Sequence, residues 1–245
     1  MNSGSKAPSF DIVLPCFNPS ADWTGRVLTA WKSIENVLPA YSFRLILVND
    51  GSTTGIETAD IELLQSEVAS FVYLNSNPNM GKGFALRKGV EAAKAPFVIY
   101  TDIDFPYEEK SLLEVARLLV EEGADVVAGV RADAYYDGVP ADRRRISRFL
   151  RWMLRTFLRL KVTDTQCGLK GFNQKGRQIF LKTGINRFLF DLEFIFLASS
   201  AKEIKLLPAE AHLKPGIVFS HVSIKVLMGE AWNFMRVLFR AVRKP

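Results

Sequence analysis

The sequence predicts an α/β fold, a Rossmann-like and mostly parallel sheet flanked by helices, with a basic amphipathic helix in the second half. Three observations predict it. In the first half, short apolar runs rich in β-branched and aromatic residues alternate with longer segments of helical periodicity. The short runs are apolar enough to be buried on both faces, as the strands of a parallel sheet are. Polar residues gather where the runs end, at the carboxyl edge where such sheets bind ligands.

The first strand is read at FDIVLPC (10–16), followed by a helix from Trp23 to Leu38. FRLILVN (43–49) is the second strand, and Ile56 to Ala69 the helix after it. FVYLN (71–75) leads to a helix from Gly81 to Ala95, and PFVIYTD (96–102) to one from Glu108 to Glu122. In the latter, Leu112, Leu113, Val115, Ala116, Leu119 and Val120 keep largely to one face. ADVVAGV (124–130) is the fifth strand. After Arg131 the rhythm changes: the polar loop RADAYYDGVPADRRR leads into a long helical pattern, a glycine-containing turn and a mostly helical tail. With no repeat and no low-complexity segment, the simplest organisation is one domain over 1–245, an α/β half at 10–131 and a decorated half at 132–245.

Composition narrows the function. About half the 245 residues are apolar (48%) and 24% are charged, as in ordinary globular chains. Lys and Arg total 32 against 26 acids, a net charge of +6, and residues 143–161 alone hold seven Arg and one Lys. A local excess of this kind points to an anionic partner: phosphate, lipid head group or nucleic acid. Cys16 and Cys167 form neither a disulfide framework nor a metal cluster, which fits a reducing compartment. The start, MNSGSKAPSF, has no apolar signal core, and FLFDLEFIFLA is interrupted by Asp191 and Glu193. The expectation is a chain that does not span a membrane but could lie on one.

The sharpest local feature is FVIYTDIDFPY (97–107), where Asp102 and Asp104 sit one residue apart at the lip of a buried strand. Repulsion and desolvation both disfavour that placement unless something positive binds there. Strand alternation would aim both carboxylates one way and Ile103 the other. Two carboxylates suit a hard divalent cation shared with substrate phosphates; the competing reading is an N-cap and first-turn acid for the helix near Glu108. In LVNDGST (47–53), Asp50 could accept from a base edge or ribose, which is compatible with a capped turn. LPCFNPS lacks the G-x-G-x-x-G of a dinucleotide fold, so a dehydrogenase is disfavoured. In NMGKGFALRKGV (79–90), Gly81, Lys82 and Gly83 open a helix whose amides, dipole and lysine could hold an anion. Arg131 closes the fifth strand, either reaching diphosphate oxygens or standing as a solvated cation. DTQCGLKGF (164–172) groups Asp164, Gln166 and Lys170 around a glycine turn; Cys167 packs rather than reacts, having no neighbouring histidine. His212 and His221 lack partners at metal-ligand spacing and read as structural.

In ISRFLRWMLRTFLRLKV, Ile146, Phe149, Leu150, Met153, Leu154, Phe157 and Leu158 repeat at helical spacing. Arg144, Arg148, Arg151, Arg155 and Arg159 line the opposite face with no acid among them. A helix packed on the domain with a solvated arginine face is one reading. An acid-free basic face beside Trp152 and phenylalanines fits an anionic membrane surface better, and better than a nucleic-acid groove.

LPCFNPS, LVNDGS, GKGFALRKGV, YTDIDFPY, GVRAD, DTQCGLKGF and FDLEFIF, in this order and spacing, resemble family 2 glycosyltransferases of the GT-A fold. The set looks most like the polyprenyl-phosphate branch, the dolichyl-phosphate mannose and glucose synthases and their bacterial relatives, over Ile12 to Leu238. The resemblance implies that Pro15, Cys16, Phe17 and Asp50 hold the nucleoside of a UDP- or GDP-sugar, with Lys82 near the donor. It implies Mg²⁺ or Mn²⁺ on Asp102 and Asp104 with Ile103 between them in the donor site, and phosphate contact at Arg131. Asp164 and Gln166 would border the reacting centre, and Lys225 in SIKVL is similar to a late donor-site lysine. Pro19 stands where the family usually carries Glu, and the late motif is altered. The resemblance further implies inversion at the sugar carbon, 10–131 as the nucleotide-sugar half and 132–245 as the acceptor and membrane half. It places the enzyme on the cytoplasmic face of a membrane, with a membrane-embedded partner or a homodimer as further company. A sugar hydroxyl as acceptor, which would need a general base, is the alternative within enzymes; a non-catalytic nucleotide- or membrane-binding module is the alternative outside them.

Overall fold

The computed structural model describes residues 7–131, 160, 162, 164–215 and 234. In chain order the elements are β1 (Ser9–Cys16), α1 (Trp23–Val37), β2 (Ser42–Asp50), α2 (Thr58–Glu67), β3 (Phe71–Ser76), α3 (Lys82–Ala92), β4 (Phe97–Tyr100), α4 (Glu109–Val120) and β5 (Val126–Arg131). Then come β6 (Lys170–Phe172), α5 (Gln174–Phe180), α6 (Phe190–Ser200) and β7 (Leu206–Ala211). All five expected strands and all four expected helices of the first half are present. The long basic pattern at 144–159, with Arg144, Arg148, Arg151, Trp152, Arg155 and Arg159, and Lys225 lie outside the described residues.

The seven strands form one sheet in the order β3-β2-β1-β4-β6-β5-β7. β1 pairs in parallel with β2 and β4, β2 with β3, and β5 with β7. β6 runs antiparallel between β4 and β5. The order reverses at β1, so β2 and β4 leave it on opposite sides and a crevice opens beyond the carboxyl ends of β1 and β4.

The sheet is buried on both faces. Trp23, Val27, Trp31 and Ile34 of α1, Leu64 of α2 and Leu112, Val115 and Leu119 of α4 cover one face. Leu86 and Val90 of α3, Phe180 of α5 and Phe190, Phe194 and Ile195 of α6 cover the other. There Tyr100 of β4 lies within ring contact of Phe172, Phe180 and Phe190, at 6.2, 5.6 and 6.1 Å between centroids. That aromatic layer fixes the floor under the end of β4.

Three expectations are corrected. β4 ends at Tyr100, so Asp102, Ile103 and Asp104 lie in a turn beyond the sheet and strand alternation does not orient them. The N-cap of α4 is Glu108 and its first-turn acid is Glu109, which removes the capping role for Asp102 and Asp104. DTQCGLKGF is more than a turn: its last three residues are β6. FLFDLEFIFLA falls mostly in the buried helix α6, and no helix among the described residues is long and apolar enough to cross a membrane.

Candidate functional site

The site grows from the end of β4. The Phe105 amide donates to the Asp102 carbonyl at 3.0 Å, closing a turn, and Phe105 takes a left-handed φ of 43°. That conformation costs energy in a non-glycine residue. Burial of the Phe105 ring and of Tyr107 against the α1/α4 core holds it, with Ile103 packed half-buried on the same side. The turn lifts two carboxylates off the sheet edge. One oxygen of Asp102 pairs with Nζ of Lys82, the first residue of α3. Asp104 is exposed, yet desolvation by the surrounding protein, and then the charge of Asp102, raise its pKa, with Lys82 and Arg26 opposing. Burial pulls the Lys82 pKa down, but the carboxylates of Asp102 and Asp191 outweigh it and hold it above the ordinary lysine value.

This donor set fits Mg²⁺ or Mn²⁺. It offers two hard oxygen ligands whose mutual repulsion a cation would relieve. Among the described residues there is no cluster of three or more His, Cys, Asp or Glu that could complete an all-protein site. Magnesium-type ions are commonly held in this way, by one or two carboxylates with substrate phosphates filling the remaining positions.

A second group of residues comes from β5 and the segment leading into β6. Arg131 ends β5, and Asp164 meets it head-on: Nε donates to Oδ2 at 2.9 Å and Nη2 to Oδ1 at 2.6 Å. The backbone N–H of Arg131 donates to Oδ2 as well, at 2.9 Å. Burial would raise the pKa of Asp164, but the hydrogen bonds and charge of Arg131 outweigh it and hold the carboxyl below its usual range. Because β6 is inserted between β4 and β5, the chain just before it passes over the ends of both. The contact with β4 is intimate: a Cβ on Gly168 would come within 2.3 Å of Oδ2 of Asp102. The Gly168 amide also donates to the Tyr107 hydroxyl at 2.8 Å. Gln166 is exposed at the tip of this turn. The structure therefore brings Lys82, Asp102, Arg131 and Asp164 to one edge, from four separate stretches of sequence.

The residues expected to hold the nucleoside, Pro15, Cys16, Phe17 and Asp50, lie at or just beyond the ends of β1 and β2. Pro15 is half-buried, and Phe17 is 51% exposed, presenting an open ring. Burial pushes the Cys16 thiol up to about 12, despite its hydrogen bond with Ser52, so it is no nucleophile. Asn18 stitches the two loops together, its Oδ1 accepting from the Thr53 amide at 2.8 Å and its amide donating to Ser52 at 2.8 Å. Asp50 is buried, and its carboxylate accepts from Met80 N, Gly81 N and Asn79 Nδ2 at 3.0, 2.7 and 2.9 Å. Asp50 thus shapes the loop that launches α3. Three amides at this helix start are engaged within the protein: Gly81 N by Asp50, and Gly83 and Phe84 N by the Asn186 carbonyl at 2.7 and 3.3 Å. At this corner the anion-seeking group is the Lys82 side chain.

Sequence reasoning missed Lys170 as a buried group, and with it Tyr100, Tyr107 and Asp191. The signal was present in the two acids of FLFDLEFIFLA. Acids in an otherwise apolar helix must be paired, and both fall in the first turn of α6, where the helix dipole favours them. Glu193 accepts from the Gly184 and Ile185 amides, each at 2.8 Å.

A family model described as Glycosyl transferase family 2 matches residues 11–180. The glycosyltransferase AglD of Haloferax volcanii is 29% identical over 195 residues, covering 78% of this chain and 31% of that protein. The dolichyl-phosphate beta-glucosyltransferase of Drosophila melanogaster is 28% identical over 67% of this chain and 53% of its own length. The Saccharomyces cerevisiae enzyme of that name is 25% identical over 82% and 67%. The chain thus spans from 31% to 67% of the length of these curated relatives. Among solved structures, glucosyl-3-phosphoglycerate synthase from Mycobacterium tuberculosis, in complex with Mn²⁺, UDP and phosphoglyceric acid, superposes with a TM-score of 0.63. Its identity is 17%, over 97% of this chain and 80% of that one. Mannosyl-3-phosphoglycerate synthase from Rubrobacter xylanophilus gives a TM-score of 0.62 at 15% identity, over 96% and 74%. These likenesses establish a GT-A-like fold.

Proposed function

The chain belongs to glycosyltransferase family 2, and from that premise we propose that it moves a sugar from a UDP- or GDP-sugar to a polyprenyl phosphate, with inversion, at the cytoplasmic face of a membrane. Asp102 and Asp104 would hold Mg²⁺ or Mn²⁺ together with the diphosphate oxygens. When bound, such an ion would supply positive charge to stabilise the departing nucleoside diphosphate. Lys82, at the same corner, is placed to add a second positive charge toward that leaving group. Phe17 and Pro15 offer apolar surface to the base. Arg131 offsets the repulsion between an incoming phosphate and the diphosphate.

The pairing of Asp164 carries the choice of acceptor. A sugar hydroxyl needs a base to take its proton, and Asp164 is the carboxylate that the family resemblance puts beside the reacting centre. Two hydrogen bonds from one guanidinium and a third from an amide occupy both of its oxygens. Proton abstraction would break charge-assisted bonds to gain a weak base. A phosphate monoester has a second pKa of about 6 and arrives ionised, needing orientation rather than deprotonation. The names of the similar dolichyl-phosphate enzymes support the same acceptor class.

The test supplies Mn²⁺, labelled UDP- and GDP-sugars, and either a short polyprenyl phosphate or the matching polyprenol. Label is expected on the phosphate alone. Asp164→Asn should keep turnover within about tenfold of wild type, because a true general base contributes roughly 10² to 10⁴. Loss beyond that with nucleotide binding intact, or label on the hydroxyl lipid, would overturn this acceptor assignment.

A further inference from the structure

Lys170 opens β6 and is 0% exposed. Its ammonium has three N–H donors, and the fold supplies three acceptors. They are Oδ1 of Asp191 at 2.9 Å, the Thr165 carbonyl at 3.0 Å and the Cys167 carbonyl at 2.5 Å. Asp191 is fixed in turn: the Tyr100 hydroxyl donates to the same Oδ1 at 2.5 Å, and the residue sits in the first turn of α6. The ammonium also lies over the Tyr100 ring, 5.8 Å from its centroid.

A buried ion pair is weak evidence for stability, since apolar residues of similar volume often serve as well. What an apolar side chain cannot do is grip two carbonyls of a turn. We propose that Lys170 is a positioning residue: anchored on Asp191 and Tyr100, it holds the 164–168 turn over the ends of β4 and β5. It thereby sets where Asp164, and through it Arg131, meets the acceptor. The turn is tied from beneath by Lys170, from the side by the Tyr107 hydroxyl on Gly168 N, and by its contact with Asp102. The inference rests on Asp164 and Arg131 being acceptor-side groups, as argued above.

The experiment uses the double variant Lys170→Met with Asp191→Asn. It removes both buried charges yet leaves an amide oxygen at position 191 to accept from the Tyr100 hydroxyl. Three quantities are read: Mn²⁺-dependent UDP and GDP affinity by calorimetry, transfer to polyprenyl phosphate against donor hydrolysis by water, and amide exchange by mass spectrometry. Nucleotide affinity and hydrolysis should stay within about threefold, while transfer falls roughly 100-fold, the scale of a misplacement near 1 Å. Peptides spanning 164–169 should exchange about tenfold faster, with β1 and β2 unchanged, because local opening is separable from global unfolding. Unchanged exchange at 164–169, or wild-type transfer, would overturn the proposal. Accelerated exchange throughout the sheet would also overturn it, marking the pair as purely structural. If wild type glycosylates no lipid phosphate while the local exchange change appears, the acceptor assignment fails and the positioning role stands.

Discussion

Asp164 and Arg131 form the most committed pair at the site, with side chains 5% and 17% exposed. The folded carboxyl titrates below its ordinary value because the arginine outweighs burial. The unfolded chain, with a pKa near 3.9, therefore binds protons before the folded chain does. The pair's contribution is complete above about pH 4 and is lost as pH falls through the folded value. Asp164→Asn keeps one oxygen for Arg131 but loses the charge, and should cost about 2 kcal/mol at pH 7. Urea unfolding of the two proteins should give curves that converge as pH falls from about 4 toward 2. A constant gap across that range would show that the charge of Asp164 is not what stabilises the contact.

Among the elements, the short β6 and the buried α6 explain why the first half of the fold was legible and the second was not. β1 to β5 announce themselves as apolar runs closed by polar turns. β6 is three residues long, contains a lysine and a glycine, and pairs with strands remote in sequence, so no local period marks it. α6 is apolar on every side, so its faces carry no amphipathic signal. For the site, the acidic pair, Arg131, Lys82 and Asp164 were visible as residues, but their meeting was not, because β6 makes it. Two glycines separate positioning from stability. At Gly168 a methyl group would strike the carboxylate oxygen of Asp102, the free end of a short side chain. Gly168→Ala should leave the melting temperature nearly unchanged, an off-rotamer aspartate costing only about 1 kcal/mol, yet weaken Mn²⁺-dependent nucleotide binding about tenfold or more. At Gly83 the methyl would meet the Ile185 carbonyl at 2.5 Å and Cβ of Phe190 at 2.7 Å, groups fixed by backbone. Gly83→Ala should therefore destabilise the protein by about 1–3 kcal/mol. Calorimetry and thermal melts on both variants check the contrast; equal effects on fold and binding would refute it.

At the scale of the whole molecule, charge is segregated. Residues 143–161 hold eight of the 32 basic residues and none of the 26 acidic ones, so this stretch carries +8 and the rest of the chain sums to −2. A net-acidic remainder is repelled by an anionic bilayer, so attraction must come from the basic stretch. Each arginine near an anionic surface contributes about 1 kcal/mol. Changing Arg148, Arg151 and Arg155 to Glu removes three such contributions and adds three repulsions. Affinity for phosphatidylserine vesicles, read by co-sedimentation, should fall by at least about 100-fold and lose most of its salt dependence. Nucleotide affinity should be retained, because none of the three arginines is among the residues proposed to hold the donor. Sedimentation that is unaltered by the reversal, or equally strong on neutral vesicles, would mean that residues 144–159 do not seat the enzyme electrostatically, and the acceptor lipid would have to be reached by another surface.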